Sequence, residues 1–345
     1  MDPRQIIRIG DTIVHPGEKT LIELPVAGLY THTAITLPVH VINGHNPGPR
    51  LFVSAAVHGD ELNGVEIIRR LLHNKTLKRL NGSLIAIPVV NMFGLVQHSR
   101  YLPDRRDLNR SFPGSKQGPL ASRLAWIFME HIVKQCTHGI DLHTGASHRC
   151  NLPQIRANMD DYDTKELAKA FGVPVLINSN VRDGSLRGTA DQHGVISLLY
   201  EAGESLRFDE QAIRIGVRGI LNVMHKLNML PLVKHKPHGR KSAGSTFTAR
   251  SNVWVRASHS GIFRSLKGLG EKVNTGALLG VITDPTDMFD EGRYEVRAQA
   301  SGLIIGKTNL PLVNEGDALY NIARIGETAG KSSEVEIFPQ EILPV

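Results

Sequence analysis

The sequence predicts an α/β protein, a mostly parallel sheet covered by helices on both faces, followed by a smaller all-β unit. Three observations carry this. Short apolar runs of strand length alternate with stretches of helical spacing between residues 33 and 230. A polar, basic stretch at 231–251 interrupts the alternation. Beyond it, β-type runs separated by glycine turns occur in two similar copies.

The elements follow in order. A β-rich segment, 1–45, ends with "TAITLPVHVIN", 33–43, and a Gly/Asn/Pro turn. "RLFVSAAV", 50–57, is an apolar run suited to a buried strand. In "GVEIIRRLLHN", 64–74, Val65, Ile68, Leu71 and Leu72 recur at helical spacing. "SLIAIPVVN", 83–91, is a strand, "GPLASRLAWIFMEHIVKQ", 118–135, an amphipathic helix, and "GIDLHTG", 139–145, a short strand. "TKELAKAFG", 164–172, reads as a helix ending at Gly172. "GVISLLYEAGE", 194–204, opens as a strand, and "DEQAIRIGVRGILNVMHKLNML", 209–230, closes the first unit as a long helix. Residues 231–251 read as a linker. From 252 to 345 the repeat of Arg-Ala, Ser-Gly, Val and Gly-x-Ala-Leu predicts a pseudo-symmetric barrel or sandwich.

Composition narrows the function classes. The 345-residue chain is 41% hydrophobic and 21% charged, as soluble globular proteins are. No apolar stretch approaches the ~20 residues of a membrane span, and the N-terminus lacks the apolar core of a secretory signal. Two cysteines, Cys136 and Cys150, make no disulfide framework, so a cytoplasmic protein is expected. The net charge of +7 lies partly in the linker and partly in a loop with interleaved acids, and aromatics are only 5%. Nucleic acid is therefore not the expected partner.

The chemistry is carried by strand ends. His58 and Glu61 follow the apolar run 50–57 and precede the helix beginning near residue 64. The carboxyl ends of parallel strands are where open α/β sheets hold their sites. Zinc takes imidazole nitrogen and carboxylate oxygen, and a catalytic zinc needs three protein ligands and an open position. In "GIDLHTG", Asp141 and His143 point to the same side of a strand. His143 is the candidate third ligand, with Asp141 placed to hold its imidazole by a hydrogen bond. His138, before the strand, and His148, in the following loop, are the competitors. Glu201 ends another strand and is the candidate base, with Glu204 and Glu66 competing. In "RDLNRSFPG", 106–114, Asn109 and Arg110 stand side by side, a pair suited to a carboxylate.

"HGDE", "DLNRSFPG", "DLHTG" and "YEAGE", in this order, resemble the succinylglutamate desuccinylase/aspartoacylase family, a branch of the zinc carboxypeptidase-like hydrolases. The resemblance spans roughly 45–230. It implies a three-layer α/β/α domain at 1–230 that binds one Zn2+ and removes an acyl group from an N-acyl amino acid or similar small amide. Residue by residue, it makes His58, Glu61 and His143 the zinc ligands and Glu201 the general base and acid. It gives Asn109 and Arg110 to the substrate carboxylate. It assigns polarisation of the scissile carbonyl to an upstream arginine, matched by Arg100 in "SRY", with Arg105 and Arg106 as alternatives. The tail resembles a biotinyl/lipoyl-type fold, but its turn "TDPTDMFDEG" offers no lysine to modify, so a lid or assembly role is expected. A homo-oligomer is compatible with this reading. The rival readings are a metallocarboxypeptidase acting on peptides and a catalytically inactive zinc-binding interaction protein.

Overall fold

Strands from both ends of the chain meet in one sheet. The structure, a computed structural model, describes residues 5–179, 183–231, 246–286 and 292–324. β1 (Ile7–Ile9) and β2 (Thr12–Val14) form a hairpin. It buries Ile7, Ile9 and Val14 in one cluster with Ile22, Leu24 and Val26 of β3 (Lys19–Gly28). β3 and β4 (Ala34–Asn43) are antiparallel and alternate buried with more exposed residues, as a half-buried pair does. β5 (Asn46–Ala55) is the apolar run expected from the sequence, and Leu51 to Ala55 are all buried.

α1 (Asn63–Leu72), β6 (Asn81–Ile87), α2 (Met92–Gln97), α3 (Leu120–His131) and β7 (His138–Gly145) come next. α1 buries Ile67, Ile68 and Leu71; Val65 and Leu72, expected on that face, are only half-buried. β8 (Arg149–Ala157), α4 (Tyr162–Phe171), β9 (Val175–Asn178), α5 (Leu186–Gln192), β10 (Ile196–Glu204) and α6 (Glu210–Lys226) complete the first unit. Asp161 caps α4, and Asp209 caps α6, each accepting a backbone N–H three residues on. α1, α4 and α6 share one apolar cluster with the sheet, whereas α3 and α5 share another with the N-terminal strands.

The sheet is mixed rather than mostly parallel. Among the described residues it has thirteen strands, ten on the path β12-β19-β17-β8-β10-β7-β5-β6-β4-β3 and β9, β11 and β14 off it. Its centre is parallel, β10 with β7, β7 with β5 and β5 with β6, and so is a side branch in which β9 pairs with β8 and with β11. β3, β4 and β8 join antiparallel, because β3 turns directly into β4 and β8 enters beside β10 without a crossover helix between β7 and β8.

The β-rich region is built from β11 (Phe247–Ala249), β12 (Asn252–Arg256), β13 (Gly261–Ser265), β14 (Lys272–Val273), β15 (Leu278–Thr283), β16 (Arg293–Arg297), β17 (Gly302–Thr308), β18 (Leu312–Val313) and β19 (Ala318–Arg324). A four-stranded sheet, β16-β15-β13-β18, encloses Phe263, Leu279, Ile282 and Val296 in one core with Ile304, Tyr320 and Ile322 of the larger sheet. β17 pairs antiparallel with β8 at Gly306–Asn151, Lys307–Cys150 and Thr308–Arg149. Part of the expected linker is a strand, since β11 runs parallel to β9. The rest of that linker, 232–245, and the tip of the turn at 287–291 lie outside the described residues. Among the described residues no helix is long and apolar enough to cross a membrane.

Candidate metal centre and cavity

At the end of β5 the backbone leaves the sheet through Ala56, whose φ of 49° is uncommon for a residue with a Cβ. The N–H of Asn91 donates to the Ala56 carbonyl at 2.9 Å and holds this turn from the neighbouring loop. Gly59 lies so close to α2 that an added Cβ would stand 2.0 Å from the Gly94 carbonyl carbon. A bare backbone is therefore required between His58 and Glu61. The turn closes with the Glu61 N–H donating to the His58 carbonyl at 3.1 Å.

His58, Glu61 and His143 converge. They are 3%, 2% and 5% exposed, and one potential ligand atom from each lies within 4.8 Å of the others. Nδ1 of His58 is 2.8 Å from Glu61 Oε1, and Nδ1 of His143 is 2.7 Å from Glu61 Oε2. The opposite ring nitrogens are anchored as well. His143 Nε2 is 2.7 Å from Asp141 Oδ2, and His58 Nε2 is 3.1 Å from Asp107 Oδ1. Ser54 donates to Asp141 at 2.7 Å from the adjacent strand. Burial alone would push the Glu61 carboxyl up, but the two imidazoles outweigh it and hold the group far below the usual carboxylate range. Burial likewise acts against a charged His143, and Asp141 and Glu61 reverse it, raising its pKa well above the ordinary imidazole value.

This donor set fits a zinc ion. Two buried imidazoles and a carboxylate share one focus, each imidazole is oriented through its far nitrogen, and three carboxylates, Glu61, Asp107 and Asp141, stand against one guanidinium, Arg100. Without a metal the carboxylates favour protonated imidazoles; with both imidazoles neutral, as ligands are, a dication would take the place of those protons. His138 and His148 do not join this cluster; His148 sits in the β7–β8 turn with φ 61°.

The cluster opens into a cavity of about 330 Å³. Glu201 and Arg100 line it, as do Asn109 and Arg110. Glu201 is the register neighbour of His143 on the parallel strand β10. Its Oε2 accepts from Arg156 Nε at 2.5 Å and from Gln154 Nε2 at 3.2 Å. Arg100 donates to Asp107 Oδ2 at 2.9 Å and lies 3.6 Å from Glu61. Arg105 and Arg106 do not line the cavity, and Arg106 reaches instead toward Asp104 at 3.9 Å. Asn109 accepts the Leu186 N–H at 2.9 Å, tying the loop to the start of α5. Glu204 turns away and accepts from Asn309 at 2.7 Å, while Glu66 is held on α1 by Arg69 and Arg70.

Sequence reasoning missed Asp107, Arg156 and the distal wall. Asp107 had a signal, as the first residue of the motif "DLNR". Arg156 had none, because β8 was not anticipated and only its antiparallel pairing with β10 brings Arg156 to Glu201. The wall comes from Asn252 and Trp254 of β12 and Asn321 of β19, with Arg149 stacked over Trp254 at 5.4 Å.

Known proteins share this arrangement of chain. Residues 47–227 match the profile of the succinylglutamate desuccinylase/aspartoacylase catalytic domain. An N-alpha-acetyl-L-2,4-diaminobutyric acid deacetylase of Halomonas elongata is 27% identical over 305 residues, spanning 86% of this chain and 88% of the relative. Among solved structures, a succinylglutamate desuccinylase/aspartoacylase from Rhodobacter sphaeroides superposes with TM-score 0.76 at 25% identity, covering 90% of this chain and 96% of the other. The ectoine utilization protein EutE (DoeB) from Ruegeria pomeroyi gives 0.79 at 23% identity, covering 94% and 100%.

Proposed function

Because the chain belongs to the succinylglutamate desuccinylase/aspartoacylase family, we propose that it is a zinc-dependent amidohydrolase that frees the amine of a small N-acyl amino acid. The family and the similar deacetylase support hydrolysis of an amide. The observation that carries the finer reading is the convergence of His58, Glu61 and His143 beside Glu201 at the floor of one cavity.

His58, Glu61 and His143 would hold the ion, with Asp107 and Asp141 fixing the two imidazoles. When bound, zinc supplies Lewis-acid polarisation and makes a water more acidic at neutral pH. The protein's own groups do the rest. The Glu201 carboxylate takes a proton from water as the water oxygen bonds to the amide carbon. It then gives that proton to the departing nitrogen as the C–N bond breaks, leaving a carboxylic acid and a free amine. Arg156 and Gln154 hold the carboxylate in place for both transfers. Arg100 points its charge at the same floor and stabilises the oxygen on which negative charge develops. Arg110, with Asn109 beside it, binds the substrate carboxylate and so positions the amide.

The cavity supports a small anionic substrate. Among the described residues five arginines, Arg100, Arg110, Arg149, Arg156 and Arg187, line it against the carboxylates of Glu61 and Glu201. Its volume suits one acyl amino acid better than a peptide chain. The test is amine release from a panel of N-acetyl, N-succinyl and longer N-acyl amino acids, alongside C-terminally free peptides. The zinc-loaded protein should hydrolyse members of the first group and leave the peptides intact. Cleavage of peptides alone would establish the carboxypeptidase reading, and no cleavage of either the binding-protein reading.

A further inference from the structure

The free edge of the sheet carries a pattern that the catalytic reading leaves unused. β3 is the terminal strand; β4 pairs with it on one side, and among the described residues no strand pairs on the other. Ladder alternation fixes which backbone groups face outward. The Glu18 carbonyl accepts from the Asn43 N–H at 2.9 Å, so Glu18, and with it Thr20, Ile22 and Leu24, bonds toward β4. Pro38, the register partner of Glu23, has no N–H to give, which agrees with this phase. Lys19, Leu21 and Glu23 therefore turn their N–H and C=O groups to the open side. The Leu21 carbonyl meets the Thr20 hydroxyl at 3.4 Å. Pro25 is in the same phase but has no N–H, and the register breaks between Pro25 and Ala27, so the usable edge ends there.

The side chains on this short edge are self-complementary. Lys19, Leu21 and Glu23 share the exposed face, and Leu21 is 51% exposed. Neither Lys19 nor Glu23 has an ion pair among the described residues. We propose that two copies of the chain associate by antiparallel pairing of β3 with β3 about a two-fold axis at Leu21. In this register Lys19 stands opposite the partner's Glu23, Glu23 opposite the partner's Lys19, and Leu21 covers its own counterpart. The three facing pairs exchange about six backbone hydrogen bonds. Moving the register by two residues sets Leu21 against the partner's Lys19 or Glu23. Moving it by four residues sets Glu23 on Glu23 or Lys19 on Lys19, which cross-strand repulsion disfavours. A two-fold contact of this kind closes at two copies. Pro25 and the register break keep the edge too short for open-ended growth, which is how natural sheets restrain their edges.

Sedimentation velocity on the full chain over a concentration series tests the proposal. The wild type should show a monomer–dimer equilibrium. Lys19→Glu and Glu23→Lys should each weaken it by at least about tenfold, since each creates two like-charge pairs across the axis. The double variant Lys19→Glu/Glu23→Lys should restore the dimer, because every pair is then opposite again. All three changes are at exposed positions, and far-UV circular dichroism checks that each variant is folded. A wild type that stays monomeric at ~100 µM, far above the Kd of a specific dimer, overturns the proposal. So does a dimer indifferent to the single changes, or one that the double change does not recover.

Discussion

Glu201 is the residue on which hydrolysis and mere metal binding part company. It lines the cavity but is not one of the three converging donors. Glu201→Gln keeps the shape but replaces the carboxylate with an amide that cannot take up the proton. Bound zinc should be unchanged, and turnover should fall by ~10²–10⁴-fold, the usual worth of general acid–base help. Arg110→Ala should act differently, chiefly raising KM, since it would remove the proposed contact to the substrate carboxylate, made before the chemistry. Steady-state kinetics with zinc measured on the same samples separates the two effects. Metal content tests the donors themselves. His143→Ala should lose the ion and His148→Ala should keep about one per chain, the stoichiometry of a catalytic site with three protein ligands. The three converging residues were legible because His58 and Glu61 follow a buried strand and strand alternation puts Asp141 and His143 on one side. Arg156 was not, since its partner is 45 residues away in sequence and the two meet only through strand pairing.

Between elements, charge adds to apolar packing. Arg70 on α1 reaches across to α6 and grips Glu210 with two hydrogen bonds of 2.8 Å, while its Nε holds Glu66 at 2.7 Å. The Arg69 and Arg70 guanidiniums draw the Glu66 carboxyl down to about 2, and Arg70 and Arg214 do the same to Glu210, also to about 2. Both carboxyls are depressed in the folded chain. Their contribution is therefore present above the ordinary carboxylate pKa of ~4.3 and is lost as pH falls toward 2. Glu210 is exposed and Glu66 and Arg70 are half-buried at the surface, so solvent screens the clip and it is worth about 1 kcal/mol or less. Arg70→Ala should lower Tm modestly at pH 7, and the gap from wild type should close as pH approaches 2 and as salt is raised, read by thermal melts. The helices α1, α3, α4 and α6 were visible as periodic apolar stripes. β8 was not: "RCNLPQIRA" mixes Pro153 with Asn151, Gln154 and Arg156, and those polar groups are inside because they serve the cavity. The mixed sheet was hidden for the same reason, since direction of pairing is a property of neighbours rather than of a strand's own residues.

For the whole molecule, the β-rich region is joined to the rest by ladders as well as by chain. β8 pairs with β17 and β9 with β11, and Val175 and Ile177 are buried against Ala249, Leu303, Ile305 and Ala323. Stopping the chain at residue 245 would bare two strand edges and that apolar cluster. We expect the shortened chain to aggregate, and size-exclusion chromatography with far-UV circular dichroism checks this. A soluble, folded fragment would show that 1–230 is a self-sufficient domain.

The β8–β17 ladder also has a mechanical meaning. A strap of backbone hydrogen bonds resists bending far more than a flexible connector does, so the wall formed by Trp254 and Asn321 is braced against the floor that carries Glu201. We expect the cavity to act as a rigid mould rather than a jaw. Its tolerance for substrates of different length is set when the chain folds, and a lineage of such proteins could change its diet by altering residues on β12 and β19 while the metal-binding turn stayed untouched.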